Sequence, residues 1–132
     1  MTLRVSATPS ASSLICSLKS KHGRLMFHQS GGCCDGSAPM CYPIGEFKIG
    51  ALDVMLGIVD GCPMYISGSQ FEKWQHTQLI LDVVDGRGSG FSLEAPDGVR
   101  FLTRSRVFTP AERDDLAALG PPPRGPEAIE VV

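Results

Sequence analysis

The sequence predicts a mostly β domain of the α+β class, with short helices at its periphery. Three observations carry this expectation. Apolar and β-branched residues recur in short runs with a period of two. Turn residues separate those runs, and the chain holds 15 glycines and 10 prolines in 132 residues. Helical signals are confined to a few short windows bounded by capping patterns. Short strands joined by such turns suit a compact sandwich or partly closed barrel.

Met1 to Pro9 is polar and reads as a loose N-terminus. From Ser10 to His22, Ala11, Leu14, Ile15 and Leu18 fall at helical spacing, with Lys19 and Lys21 in the last turn and Gly23 as the stop. Arg24 to Gln29 places Leu25 and Phe27 on one face of a strand. Ser30 to Gly45 carries glycines, prolines and no periodicity, so a loop is expected. Phe47 to Gly50 reads as a short extended piece. Val54 to Val59 and Met64 to Ile66 read as strands joined at Asp60-Gly61, a hairpin signal. Ser69 and Glu72 have capping-box spacing, which predicts a helix over Gln70 to His76. Thr77 to Val84 is a strand rich in β-branched residues. A turn follows at Asp85 to Gly88, then an extended piece from Gly90 to Glu94 and a turn at Pro96-Asp-Gly98. Val99 to Phe108 is the last strand. Thr109-Pro-Ala-Glu112 is a second capping box, opening a helix that ends at Gly120. Pro121-Pro-Pro-Arg-Gly-Pro126 cannot continue that helix. The expected organisation is a loose segment over 1–9, one domain over 10–119 and a flexible proline-rich tail over 120–132.

Composition narrows the function classes. Hydrophobic residues make up 42% and charged residues 20% of the chain, which is globular composition. The formal net charge of −2 argues against nucleic-acid binding. No apolar run has the length needed to span a bilayer. Met1 to Ser20 has no apolar core of signal-peptide type, so a cytoplasmic protein is expected. There is no Gly-x-Ser-x-Gly elbow and no His-Glu-x-x-His, which argues against an independent hydrolase.

Chemistry concentrates in one loop. Three of the five cysteines, Cys33, Cys34 and Cys41, fall between Gly31 and Cys41, and His28 ends the strand before it. Thiolates bind iron and zinc well, and imidazole is a common companion ligand. The flanking glycines would let the backbone approach an ion closely. The spacing matches no zinc knuckle, and adjacent cysteines seldom face one ion, so a small buried cysteine amid turn glycines is the competing reading. A third is redox or nucleophilic chemistry at one of the same thiols. Cys16 lies on the first helix and is expected in the core. Cys62, after the hairpin turn, could approach the loop.

Outside the loop, His76 sits with Trp74 at a helix-to-strand junction and is a candidate ligand or base. Asp82 is expected on a solvated strand face. Gly86-Arg-Gly-Ser-Gly90 leads into a strand rather than a helix, so a hairpin turn is a better reading than a phosphate loop. Arg100, Arg104 and Arg106 share a strand face and could meet an anion or an acidic partner.

Four stretches carry a family resemblance: Leu25-Met-Phe-His-Gln-Ser-Gly-Gly-Cys-Cys-Asp-Gly-Ser, Lys73-Trp-Gln-His-Thr-Gln-Leu79, Asp82-Val-Val-Asp-Gly-Arg-Gly88 and Phe101-Leu-Thr-Arg-Ser-Arg106. Over roughly His22 to Leu116 the chain resembles a bacterial family known as domain of unknown function 779. The resemblance implies an accessory role beside aldehyde dehydrogenases. More distantly, Ser30-Gly-Gly-Cys33, Gln70-Phe71, Thr77-Gln-Leu79, Gly90-Phe91 and Pro96 resemble, in order, the A-type iron–sulfur carriers of HesB-like fold. That implies a compact half-barrel with small helices. Those carriers also use a C-terminal Cys-Gly-Cys pair, whereas this chain has no cysteine after Cys62.

The resulting expectation is a non-catalytic accessory protein that binds iron or zinc through Cys33, Cys34 and Cys41, with His28 and His76 as further candidate ligands. Its partner would be an alcohol- or aldehyde-oxidising enzyme, and association with a second copy of the chain stays open. The alternatives are a thiol-redox or thiol-nucleophile enzyme using the same cysteines, and an interaction module using Arg100, Arg104 and Arg106.

Overall fold

A computed structural model of the chain describes residues 2–29, 38–86 and 92–126. In chain order its elements are strand β1 (Val5–Ala7), helix α1 (Pro9–His22), strands β2 (Leu25–Gln29), β3 (Met40–Pro43), β4 (Val54–Val59) and β5 (Cys62–Ile66), helix α2 (Gly68–Trp74), strand β6 (Thr77–Asp85), a 3-10 turn (Ala95–Asp97), strand β7 (Val99–Val107) and helix α3 (Pro110–Leu119). The class is α+β, as the sequence predicts. The strands form two sheets, ordered β1-β6-β7 and β3-β2-β5-β4. β1 runs parallel to β6 and β2 parallel to β5, while the other neighbours are antiparallel.

The main core brings residues of both sheets together with α1. Helix α1 buries Ala11, Ile15 and Leu18, the stripe read from its helical spacing. Thr8 caps its N-terminus by accepting from the Ala11 N–H, and Gly23 ends it at φ 81°. Phe27 of β2 and Phe101 of β7 meet edge to face at 4.9 Å, linking the sheets. Such a ring pair contributes roughly 1 kcal/mol beyond the burial of its area. The β4–β5 hairpin turns at Asp60 (φ 49°) and Gly61 (φ 79°), the two left-handed residues that match strand twist. A second, smaller core lies on the other face of the four-stranded sheet. It holds Met26, Met55 and Tyr65, covered by Ile44, Phe47 and Ile49.

Several local expectations differ from the structure. Val5–Ala7 is not loose: it pairs with Leu79–Leu81, flanked by bonds from the Leu79 N–H to the Arg4 carbonyl and from the Thr8 N–H to the Leu81 carbonyl. Three residues are too few to show a period, so only the partner strand reveals the element. Met40–Pro43 lies within the expected loop but is a strand, because β2 offers it an antiparallel edge. Phe47 to Gly50 is irregular and serves as cover for the second core. Ser92 to Glu94 leads into the 3-10 turn rather than forming a strand. Helix α2 begins two residues early, with Ser67 as N-cap, so the Ser69–Glu72 spacing does not form a capping box. Cys16 is exposed rather than in the core.

The segment after α3 is also docked along its described part. The Met55 N–H donates to the Pro123 carbonyl at 2.9 Å, and the Gly125 N–H donates to the Asp53 carbonyl at 2.8 Å. The Tyr65 hydroxyl donates to the Gly125 carbonyl at 2.9 Å. Proline cannot donate to a ladder, so this segment binds β4 through its carbonyls and the few N–H groups it retains.

At α3 the predicted capping box forms. The Glu112 N–H donates to Thr109 Oγ1, and the Thr109 N–H donates to Glu112 Oε1. Arg106 adds a two-pronged contact to both oxygens of Glu112, at 2.9 and 2.8 Å. Arg106, and then the Thr109 cap, hold the Glu112 carboxyl down from 4.5 to about 2. A depressed folded-state value makes this stabilisation complete above the ordinary carboxylate range and lost as pH falls through the folded value. Between pH 4.5 and about 2, Glu112→Gln is therefore expected to show a shallower fall in melting temperature than the parent chain. The two proteins should converge at the acid end; parallel acid limbs in thermal melts would show that Glu112 is not coupled to folding.

Candidate functional site

Strand β2 is buried along its whole length, and its alternation splits the candidate ligands between two faces. Phe27 lies opposite Cys41 and Met64, and all three belong to the main core. His28 lies opposite Met40 and Tyr65, on the side of the second core. His28 and Cys41 therefore point away from each other through the sheet. Cys33 and Cys34 lie outside the described residues. His76 is exposed at the α2–β6 junction, where its carbonyl accepts from the Phe108 N–H. Among the described residues, no three or more His, Cys, Asp or Glu side chains form a group able to hold a metal ion. The expected five-residue donor set thus loses Cys41 to the main core and His76 to a different surface. His28 alone among the described candidates stands at the start of the cysteine loop.

His28 is 4% exposed. Its Nε2 lies 3.0 Å from Oδ2 of Asp53, a carboxylate that is itself 16% exposed. The same Asp53 oxygen accepts from the Gly50 N–H at 2.8 Å, and the Asp53 N–H donates to the Gly50 carbonyl at 3.1 Å. The docked tail holds the Asp53 carbonyl through Gly125. Phe47 packs on the imidazole with ring centres 4.6 Å apart, and Tyr42 stacks on Phe47 at 5.0 Å. The ring is thus held by strand, aromatic wall and carboxylate together. A carboxylate against Nε2 favours the protonated form of such a ring and fixes its orientation.

Cys41 and Cys62 are not poised for reaction. Burial, with the charge of Glu94 and the neighbouring Cys62, raises the Cys41 thiol far above its ordinary value. Burial raises Cys62 as well, against a smaller opposing pull from Lys19. Both stay protonated and act as small core residues.

A second polar cluster meets the edge of β3. Glu94 is 1% exposed, and its carboxylate accepts from the Ser92 hydroxyl and, at 3.0 Å, from the Phe101 N–H. Ser92 Oγ accepts from the Cys41 N–H at 2.9 Å, and the Leu93 N–H donates to the Cys41 carbonyl at 3.1 Å. This cluster fastens an irregular segment to both sheets.

Asp53, Phe47, Ser92 and Glu94 were not among the residues expected from the sequence. Asp53 lies 25 positions from His28, and neither neighbourhood signals the other. The Gly50-to-Asp53 turn is legible in retrospect, since Asp favours such side-chain-to-backbone bonds. The arginines of β7 are largely committed inside the fold. Arg104 Nε donates to Asp82 Oδ2 at 2.7 Å, and Asp82 also accepts from the Thr8 hydroxyl. Arg106 is engaged by Glu112.

Glu94→Ala leaves the buried Phe101 N–H and Ser92 hydroxyl without their acceptor. It is expected to destabilise the fold by about 3 kcal/mol, with Glu94→Gln costing roughly 1 kcal/mol because one acceptor survives. Urea denaturation measures both, and equal small losses would show that the cluster does not fasten the sheets.

A family model described as domain of unknown function (DUF779) matches residues 14–107. No curated protein and no solved structure matches the chain. No helix among the described residues is long and apolar enough to cross a membrane.

Proposed function

The chain belongs to the DUF779 family, and we propose that it is an accessory to an alcohol- or aldehyde-oxidising enzyme that works through a loop thiol activated by His28 and Asp53. The observation that carries this reading is the oriented His28–Asp53 pair at the foot of the cysteine loop. Cys33 is five positions along the chain from His28, which tethers it within about 17 Å. A thiol needs a base to become nucleophilic at neutral pH, and an imidazole backed by a carboxylate is a common arrangement for that task. His28 takes the thiol proton, the thiolate adds to an aldehyde carbonyl carbon, and the proton passes to the resulting alkoxide. The product is a hemithioacetal, so the step needs no oxidant and expels no leaving group. Asp53 stabilises the imidazolium formed midway. A cytoplasmic setting goes with this reading, because the thiols must stay reduced. A HesB-like origin would account for two mixed sheets with small helices, but the cysteine pair those carriers use is missing from the C-terminal part of this chain.

Iron or zinc at Cys33, Cys34 and His28 is the second reading. Asp53 is the observation that favours it, since metal-bound imidazoles commonly carry a carboxylate on their other nitrogen. Such an ion would draw three donors from this chain, without Cys41 or His76, and would supply Lewis acidity there when bound.

Elemental analysis of anaerobically purified protein, with timed thiol alkylation on the same sample, separates the readings. The thiol reading expects no stoichiometric metal and one fast-alkylating thiol, lost in Cys33→Ser or Cys34→Ser. Asp53→Asn should slow that alkylation by roughly ten- to a hundredfold. Stoichiometric iron or zinc, with thiols protected until a chelator is added, would establish the metal reading instead. No metal and uniformly slow thiols would overturn both.

A further inference from the structure

Four arginines of this chain show two different situations. Arg104 and Arg106 are neutralised by Asp82 and Glu112. Arg4 and Arg113 line a cavity of about 390 Å³ together with His76, and no Asp or Glu belongs to its wall. Among the described residues, neither guanidinium has an ion-pair partner. Arg4 instead lies 5.6 Å from the centre of the Phe71 ring. Arg4 is half-buried, and that burial lowers its pKa from the ordinary arginine value with no carboxylate in the cavity wall to oppose it. A desolvated cation in this state gains from an anion brought by a ligand.

The remainder of the wall is apolar. Phe71, Phe108 and Leu116 are buried beneath it, and Pro121 and Pro122 close one side. A neighbouring cavity of about 250 Å³ shares Arg4, Leu116, Pro121 and Pro122 with the first. It is lined by Leu3, Ile58 and Leu119, three of the large hydrophobic side chains the fold leaves exposed. A cationic chamber therefore adjoins an apolar one. Together they have the size range of small-molecule sites.

We propose that this pair of cavities binds an alkyl carboxylate. The head group sits with Arg4 and Arg113, and the chain runs over Phe71 and Leu116 towards Leu3 and Ile58. Guanidinium forks match carboxylate geometry. A singly charged head suits a chamber with two cations and an apolar wall, whereas a phosphate dianion would surrender far more hydration there. His76, first read as a candidate metal ligand or base, becomes part of the head-group wall. His28 and Asp53 are not among the lining residues, and the test does not depend on thiol chemistry.

Titration calorimetry of the full chain with octanoate tests the proposal, with octan-1-ol, acetate and inorganic phosphate as comparisons. Octanoate is expected to bind at least about tenfold more tightly than octanol, acetate or phosphate, the scale of a charge-assisted hydrogen bond. Replacing Arg4→Gln and Arg113→Gln together should weaken octanoate by about tenfold or more and leave octanol unchanged. Arg113→Gln alone, an exposed helix position, keeps the test open if the double variant does not melt cooperatively, and should by itself weaken octanoate. Ala117→Trp, which adds bulk at the cavity wall, should reduce octanoate and octanol alike. Octanoate binding no tighter than octanol would reveal apolar adsorption alone, and phosphate binding as tight as octanoate would mark a simple anion site. Either result, or octanoate affinity unaffected by the arginine substitutions, overturns the proposal.

Discussion

Strand β2 has no solvent face, and that constraint organises the rest of the molecule. A strand buried on both sides must feed two cores, with alternate residues going to each. Leu25 and Phe27 enter the main core, where Phe27 meets Phe101 of the other sheet. Met26 and His28 face outward, towards a layer that must be supplied by something other than a sheet. The chain supplies it with Ile44, Phe47 and Ile49 and with the segment after α3. Without that cover, the apolar side chains of Met26 and Tyr65 would lie in water, and each such exposure costs roughly 1.5–3 kcal/mol.

The same alternation decides the chemistry. A histidine in this outward row is buried, so its polar ring needs partners in place of water. Asp53 provides one, held by its own turn and by the docked tail. Cys41 is paired to Phe27 rather than to His28, so it enters the main core beside Cys62 and Glu94. A shift of one residue in the β2–β3 register would exchange those roles. Proximity along the sequence put the two residues in one expected donor set. Strand geometry separates them.

Much of the fold was legible from residue patterns. The α1 stripe of Ala11, Ile15 and Leu18, the Asp60-Gly61 hairpin, the long β6 and β7 strands and the Thr109–Glu112 capping box each rest on local chemistry that reads directly. What escaped depended on partners distant in the chain. β1 and β3 are too short to show a period, and each is a strand because another strand offers it an edge. The proline-rich segment reads as a flexible tail because it cannot continue a helix, yet its carbonyls and the Gly125 N–H dock it beside β4. Cys16 has the composition of a core residue but lies on the solvent side of an otherwise correctly predicted helix. For the site, His28 was visible as a strand-end histidine. Its contact with Asp53 was not, because no local pattern links a turn aspartate to a strand formed 25 residues earlier.

The buried polar groups share a physical logic. Glu94 and Ser92 fasten an irregular segment to β3 and β7, while Asp53 fastens another over His28. Apolar packing alone could hold these segments against the sheets, but it is non-directional and would leave their register loose. Hydrogen bonds and ion pairs select a single placement, because a displaced segment would leave a buried donor or acceptor unpaired. The arginines follow the same rule in reverse. Where the fold needs a fastener, as at Asp82 and Glu112, the cation is matched. Arg4 and Arg113 have no carboxylate partner among the described residues, and both open onto one cavity. Arg4, half-buried against Phe71 without a carboxylate to match it, is where the structure leaves room for a ligand.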